Sequence, residues 1–244
     1  MPTIQNGDAT IYFEEVGQGF PILTFAPAGL LSVADVWNRP MSPVNPMTEF
    51  SGEYRVIAMD QRNAGGQSHA PITAEDGWQS YLSDHIAVLD HLGIEKCHLY
   101  GQCIGGPFIL AMLKAQPERI ASAIIAQPIG RVGEMPAEYS GNFKSWIETM
   151  KPQADEKTLD AFYNNLYAPG FGYSVDRDFV RSCQTPSLVL AGNDNAHPFA
   201  IAEEIAQLLP NAEFIPEWKD GEPLVAAKAR MKAFLAEHTP ATAR

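Results

Sequence analysis

A chain of 244 residues, 45% of them hydrophobic and 19% charged, is long enough for one large core, and an α/β architecture of this length forms a single domain. Its 29 acidic against 17 basic residues leave a formal charge of -12, which repels nucleic acid and anionic membranes and makes a small-molecule substrate the expected partner. Three scattered cysteines, Cys97, Cys103 and Cys183, exclude a disulfide framework or a cysteine-based metal site and fit a reducing cytoplasm.

At the amino terminus, MPTIQNGDATIYFEEVG has neither the basic nor the apolar region of a signal peptide. No apolar run approaches the ~20 residues that cross a bilayer, so no membrane partner is expected. Residues 9–17 (ATIYFEEVG) and 21–29 (PILTFAPAG) are short β-rich runs bounded by glycine and are expected to open the fold as an antiparallel pair. YRVIAMD, 54–60, is a compact apolar strand. The stretch 77–94 places Tyr81, Leu82, Ile86, Leu89 and Leu92 close to helical spacing. A strand (KCHLYGQ), a helix (IGGPFILAMLKAQP) and a buried strand (IASAIIAQP) follow, and the alternation implies a mostly parallel sheet covered on both faces.

After Pro128 this rhythm breaks. The segment 133–180 is rich in aromatic and polar residues, with FKSWIETM and TLDAFYNNLYA as short helix candidates. It reads as a small helical cap inserted over the carboxyl edge of the sheet, so that 1–132 and 181–244 together form one core. The β/α rhythm returns with TPSLVLAG, the helix PFAIAEEIAQLL, the strand AEFIPEW and the helix PLVAAKARMKAFLAEH.

The chemistry centres on Gly101-Gln102-Cys103-Ile104-Gly105, a nucleophile between strand and helix with a glycine two residues away on each side. A turn this tight tolerates no side chains at the flanking positions. It lifts the central side chain above the sheet edge and aims the helix N-terminus, with Ile104 N–H, at a developing oxyanion. A thiol there has its anion stabilised by the helix dipole and exposed amides, whereas Cys97 and Cys183 read as structural.

On these residues the sequence resembles the α/β-hydrolase fold superfamily over nearly its whole length. MDQRNAGGQS looks like that superfamily's Asp-x-Arg-x-x-Gly turn. PAGLLSVADVW sits where its His-Gly oxyanion loop belongs, with Ala28-Gly29 in the motif's place. The resemblance therefore implies Gly29 or Leu30 N–H as the second oxyanion donor. The Gly-x-Cys-x-Gly-Gly elbow is also similar to that of dienelactone hydrolases, which use a Cys-His-Asp triad.

The superfamily's histidine belongs before the final helix, but that loop, EWKDGEPLVAAK, contains none. Lys219 and Asp220 stand in the vacated slot as outside candidates for an anion partner and a carboxylate base. The resemblance places the triad acid in GNDNAHPFA, at Asp194. Three residues on, His197 is the leading base among six histidines, and it equally fits a pocket-lining or backbone-bonding role before Pro198. His69, His85, His91, His98 and His238 read as structural.

The aromatics of 133–180, with Trp146, Tyr163 and Tyr167 foremost, suit an apolar or aromatic substrate, and Trp37 is expected to wall the pocket. The expected activity is cofactor-free hydrolysis of a small ester, lactone or thioester through a Cys103 acyl-enzyme, with no metal. Two alternatives remain open at this point: a binding or sensor protein that lost the reaction, and a non-hydrolytic lyase- or oxygenase-type step. A homodimer is also left open.

Overall fold

The computed structural model describes residues 2–40, 42–134, 138–152 and 154–241. Strands β1 (Thr3–Asn6), β2 (Ala9–Val16), β3 (Phe20–Phe25), β4 (Tyr54–Met59), β5 (Cys97–Cys103), β6 (Ile120–Pro128), β7 (Ser187–Leu190) and β8 (Ala212–Ile215) form one sheet in the order β1-β2-β4-β3-β5-β6-β7-β8. From β4 through β3 to β8 neighbouring strands are parallel. The antiparallel opening is real but differently paired from the sequence expectation. β2 lies against β1 and β4, and β3 joins the parallel set between β4 and β5.

Because strand side chains alternate, each central strand feeds two cores. Leu23, Ile57, Leu99, Ile125 and Val189 pack on one face, beneath helices α2 (Trp78–His91), α3 (Gly105–Ala115) and α7 (Phe199–Leu208). Ile22, Val56, Tyr100, Ile124 and Leu188 pack on the other, with the short α1 (Pro46–Glu49) and the long α8 (Gly221–His238). Burial on both faces is why these strands read as continuous apolar runs rather than as alternating patterns.

Between β6 and β7 come α4 (Gly141–Met150), α5 (Glu156–Tyr167) and α6 (Arg177–Ser182). The first two start on side-chain caps that the sequence supplies: Ser140 accepts from Phe143 N–H and Asp155 from Thr158 N–H. The apolar stripes of α4 and α5 then meet each other. Phe143 lies against Trp146 and Tyr163, with ring centroids 5.4 Å and 4.8 Å apart, and Trp146 lies 5.5 Å from Phe162. Side chains also tie this unit to the loops at the carboxyl edge of the sheet. Trp146 Nε1–H donates to Asn63 O at 2.6 Å, Trp78 Nε1–H donates to Leu166 O at 2.8 Å, and Asn165 Nδ2 donates to Ala74 O and Asp76 O, both at 2.9 Å.

The Asp-x-Arg turn after β4 is a framework element. Asp60 accepts from Ala34 N–H and Gln67 N–H at 2.8 Å and 2.7 Å, which fixes the loop after β3. Arg62 forks onto both oxygens of the fully buried Asp84 at 2.7 Å and 2.8 Å, joining the turn to α2. Among the described residues no helix is long and apolar enough to cross a membrane.

Candidate active site

Cys103 ends β5 with φ of 58°, a left-handed conformation that strains any residue with a side chain and here turns the chain directly into α3. The flanking glycines make the turn feasible. A Cβ on Gly101 would stand 2.8 Å from Gly105 O, and one on Gly105 would stand 2.8 Å from Phe25 O, at the end of β3. Cys103 O accepts from Ile129 N–H at 3.1 Å, which pins the elbow to the chain leaving β6. The thiol is 9% exposed, and Ile104 N–H belongs to the opening turn of α3, where helix geometry provides no intrahelical acceptor.

The partner loop leaves β7. Asp194 accepts from the N–H groups of Ala196 and His197, both at 2.9 Å, so one carboxylate folds its own loop into a tight turn. The same carboxylate lies 2.9 Å and 3.0 Å from His197 Nδ1 through its two oxygens. An ionised carboxylate only accepts, so the ring proton sits on Nδ1 and the Nε2 lone pair is left free. Gly192 allows this fold-back, because a Cβ there would meet His197 O at 2.1 Å.

Nε2 of His197 is buried and has no partner of full hydrogen-bonding geometry. The Cys103 thiol is close enough to the ring to raise its pKa. Burial draws the imidazole pKa down, but Cys103 and then Asp194 push it up by more, so the net shift is upward. Burial would raise the Asp194 pKa, yet the His197 ring, the His197 N–H and Lys219 outweigh it and hold the carboxyl at about 2.

In the slot vacated by histidine, Lys219 lies 3.5 Å from Asp194 Oδ2 and donates to Asn193 Oδ1, while Trp218 Nε1–H donates to Ala191 O at 2.7 Å. That loop supports the Asp194 loop from behind. Asp220 is the residue preceding α8 and makes no side-chain cap bond. The other histidines lie elsewhere. His85 bonds Gln61, His98 bonds Ser122 and Thr239, the His69 backbone bridges Thr10, and the rings of His91 and His238 meet Phe13 and Phe234.

Of the residues expected at the pocket, Trp146 and Tyr163 share Cys103's hydrophobic cluster, and Tyr167 packs against it, close enough for the sulfur to contribute to its raised pKa after burial and neighbouring tyrosines. Trp37 corrects the sequence reading. It is buried on the α8 face of the sheet, 5.7 Å from Tyr100, and so belongs to the opposite core from Cys103. The loop after β3 crosses to that face after passing the elbow, a turn no local pattern in PAGLLSVADVW specifies.

The loop itself carries Gly29 and Leu30, the residues expected to hold the second donor. Residues 29–31 form a short 3-10 turn at the carboxyl end of β3, beside the elbow. Leu30 N–H points to the cap side, where it donates to Asn142 Oδ1 at 3.1 Å. Sequence reading did not single out Asn142, since nothing in SGNFKSW signals a contact 112 positions away. A separate groove of about 1230 Å³ runs between α2, α5 and the chain leading to α6, lined by Trp78 and Tyr173 among others. Tyr173 meets Tyr167 edge-on at 5.3 Å, and both pack against the cluster that holds Cys103.

Comparison with known proteins agrees with this architecture. The model of the alpha/beta hydrolase fold family matches residues 27–171. The chain is 32% identical over 127 residues to a protein named "Putative carbamate hydrolase RutD" of Azorhizobium caulinodans, covering 51% of this chain and 43% of that one. It is 26% identical over 234 residues to 2-hydroxymuconate semialdehyde hydrolase of Pseudomonas putida, covering 81% and 78%. The first of these matches therefore spans less than half of the relative's length. Among solved structures, Est816, described as an N-acyl homoserine lactone degrading enzyme, superposes with a TM-score of 0.72 at 22% identity over 96% of this chain and 100% of that one. The enol-lactonase from Burkholderia xenovorans LB400 does so with a TM-score of 0.70 at 16% identity, again over 96% and 100%. At these identities the superpositions speak for the fold. With more than half of its length matched by the family model, the chain belongs to the alpha/beta hydrolase fold family.

Proposed function

We propose that this protein is a cofactor-free hydrolase of small esters, lactones or thioesters that uses Cys103 as its nucleophile. The observation that carries the reading is Asp194 bonded to His197 within one loop, beside a Cys103 thiol that raises the imidazole pKa, so that this loop would provide both the acid and the base. His197 Nε2 takes the thiol proton, and the thiolate attacks the carbonyl carbon. The developing oxyanion is held by Ile104 N–H and Leu30 N–H, with Gly29 shaping the loop. Collapse expels the alcohol or thiol, which takes the proton from His197. In the acyl-enzyme His197 then removes a proton from water, and Asp194 stabilises the imidazolium that forms.

Two further features support this reading. The Gly-x-Cys-x-Gly-Gly elbow is similar to that of dienelactone hydrolases, and relatives carry names of hydrolases acting on lactones and related bonds. Segment 133–180 acts as the cap, and Trp146, Tyr163 and Tyr167 give the pocket an apolar, aromatic character. A binding protein is favoured by the missing histidine before the final helix and by Ala28 in the oxyanion loop, and in the present reading His197 takes the place of that base.

The test is rapid-mix kinetics with 4-nitrophenyl acetate, with intact-mass detection of acetyl-Cys103. The expected result is a burst followed by slower turnover. Cys103→Ala abolishes the burst, and His197→Ala lowers turnover by about two to four orders of magnitude. Full turnover in His197→Ala would remove it as the base, and an unmodified Cys103 would remove it as the nucleophile.

A further inference from the structure

Asn142 makes two hydrogen bonds with the oxyanion loop. Its Oδ1 accepts from Leu30 N–H at 3.1 Å, and its Nδ2 donates to Ala28 O at 3.3 Å. The carboxamide therefore pairs with the loop as a short piece of backbone would. The space for it exists because residue 29 is glycine. A Cβ at that position would stand 2.1 Å from Asn142 Oδ1 and 2.5 Å from its Cγ and Nδ2, and the φ of 57° at Gly29 is itself a glycine conformation.

Helix α4 holds the carboxamide in place. Asn142 lies in its first turn, just after the Ser140 cap, and Phe143 and Trp146 bury the helix against the cap core and the 63–65 loop. The group that fills the Leu30 donor is thus an amide oxygen on a well-anchored helix, at the place where the proposed reaction needs an acyl oxygen.

We infer that Asn142 is a resident occupant of the oxyanion position, which an acyl substrate must displace before Leu30 N–H reaches its carbonyl oxygen. This rests on the proposed hydrolase reading and deepens it. A neutral ester carbonyl is a weaker acceptor than an amide oxygen and gains nothing by the exchange. An oxyanion forms a charge-assisted bond roughly twice as strong. Leu30 N–H is therefore surrendered mainly to the transition state, and Asn142 sets how electron-rich an acyl oxygen must become to claim it. Displacement needs rotation of one side chain, or a shift of α4 away from the loop.

The experiment compares two rates on the same protein: acylation of Cys103 by 4-nitrophenyl acetate, which uses the oxyanion donors, and alkylation by iodoacetamide, which reports thiol reactivity without them. In Asn142→Ala the ratio of acylation to alkylation rises about threefold to tenfold, the worth of one competing hydrogen bond. In Asn142→Ser the shorter side chain falls short of Leu30 N–H, and the ratio rises as well. A ratio that is unchanged or lower in Asn142→Ala overturns the inference. Should that variant fail to fold, an unchanged or lower ratio in Asn142→Ser overturns it as well. Failure of the parent reading looks different: the unaltered protein is then not acylated at Cys103, whatever its alkylation rate.

Discussion

At the scale of single residues, the site turns on how much one carboxylate is asked to do. Asp194 closes its own turn, orients the His197 ring and receives Lys219. In the free site both Cys103 and Asp194 raise the His197 pKa against burial. In an acyl-enzyme the sulfur is esterified, and Asp194 alone remains to raise it. Asp194→Asn should then lower the plateau of kcat by about two to four orders of magnitude and move the acid limb of its pH profile to lower pH. The sign follows from the base's need to be neutral: a lower His197 pKa leaves it deprotonated further into acid. A limb that stays in place would take Asp194 out of the relay. The same logic explains why this part of the site was legible in sequence and Asn142 was not. Asp194 and His197 are three residues apart in one turn, so their meeting is dictated locally. Asn142 reaches Leu30 only after the whole sheet has formed.

At the scale of elements, α4 links the aromatic cluster of segment 133–180 to the loop after β3. Its start depends on Ser140, whose hydroxyl accepts from Phe143 N–H at 3.2 Å, while Ser140 N–H donates to Tyr163 OH at 3.0 Å. Ser140→Ala removes only the hydroxyl bond and should destabilise the helix start by about 1 kcal/mol. The expected consequence is faster amide hydrogen exchange over 141–150, with exchange in β5 and β6 unchanged. Equal loss of protection in those strands would mean that the cap and the sheet unfold as one unit. Sequence pattern located the central strands and the long helices well, since burial on both faces leaves unbroken apolar runs and burial on one leaves a helical stripe. It missed β1, whose four residues Thr3–Asn6 alternate at an edge, and it missed the four-residue α1 and six-residue α6. It also paired β2 with β3, because the insertion of β4 between them is a long-range choice that no local run encodes. Trp37 was misplaced for the same reason: the face a loop crosses to is settled by the sheet, not by the loop.

At the scale of the whole molecule, two buried histidines tie stability to pH more firmly than the acidic surface does. His85 sits on α2 under Phe25 and Phe108, with Nε2 2.8 Å from Gln61 Oε1. His98 lies on β5 in the opposite core, held by Ser122 Oγ at 2.8 Å and Thr239 Oγ1 at 3.0 Å, which fastens the end of α8 to the sheet. Burial pushes both pKa values down to about 3, with Arg62 adding to the effect at His85 and His238 at His98. In the unfolded chain each titrates near ~6.5. Below that pH the unfolded state binds protons that the folded state refuses, so stability falls as pH drops from about 6.5 towards 3, by up to about 1.4 kcal/mol per pH unit for each histidine. Other groups act in different windows. His197, with its raised pKa, contributes stability that is lost only as pH rises through its folded value. Asp194, Glu49, Glu204 and Glu213 have lowered values, so their contributions fade as pH falls through the ordinary carboxylate range, from about pH 5 downward. Urea midpoints between about pH 6.5 and 5 therefore report chiefly on the two histidines. Replacing His98 by Gln, which keeps a polar group beside Ser122 and Thr239, should remove about half of the slope in that window whatever it does to stability at neutral pH. A slope unchanged in His98→Gln would mean that the imidazole gains its proton without unfolding, and that the clasp between β5 and the end of α8 opens locally to admit it.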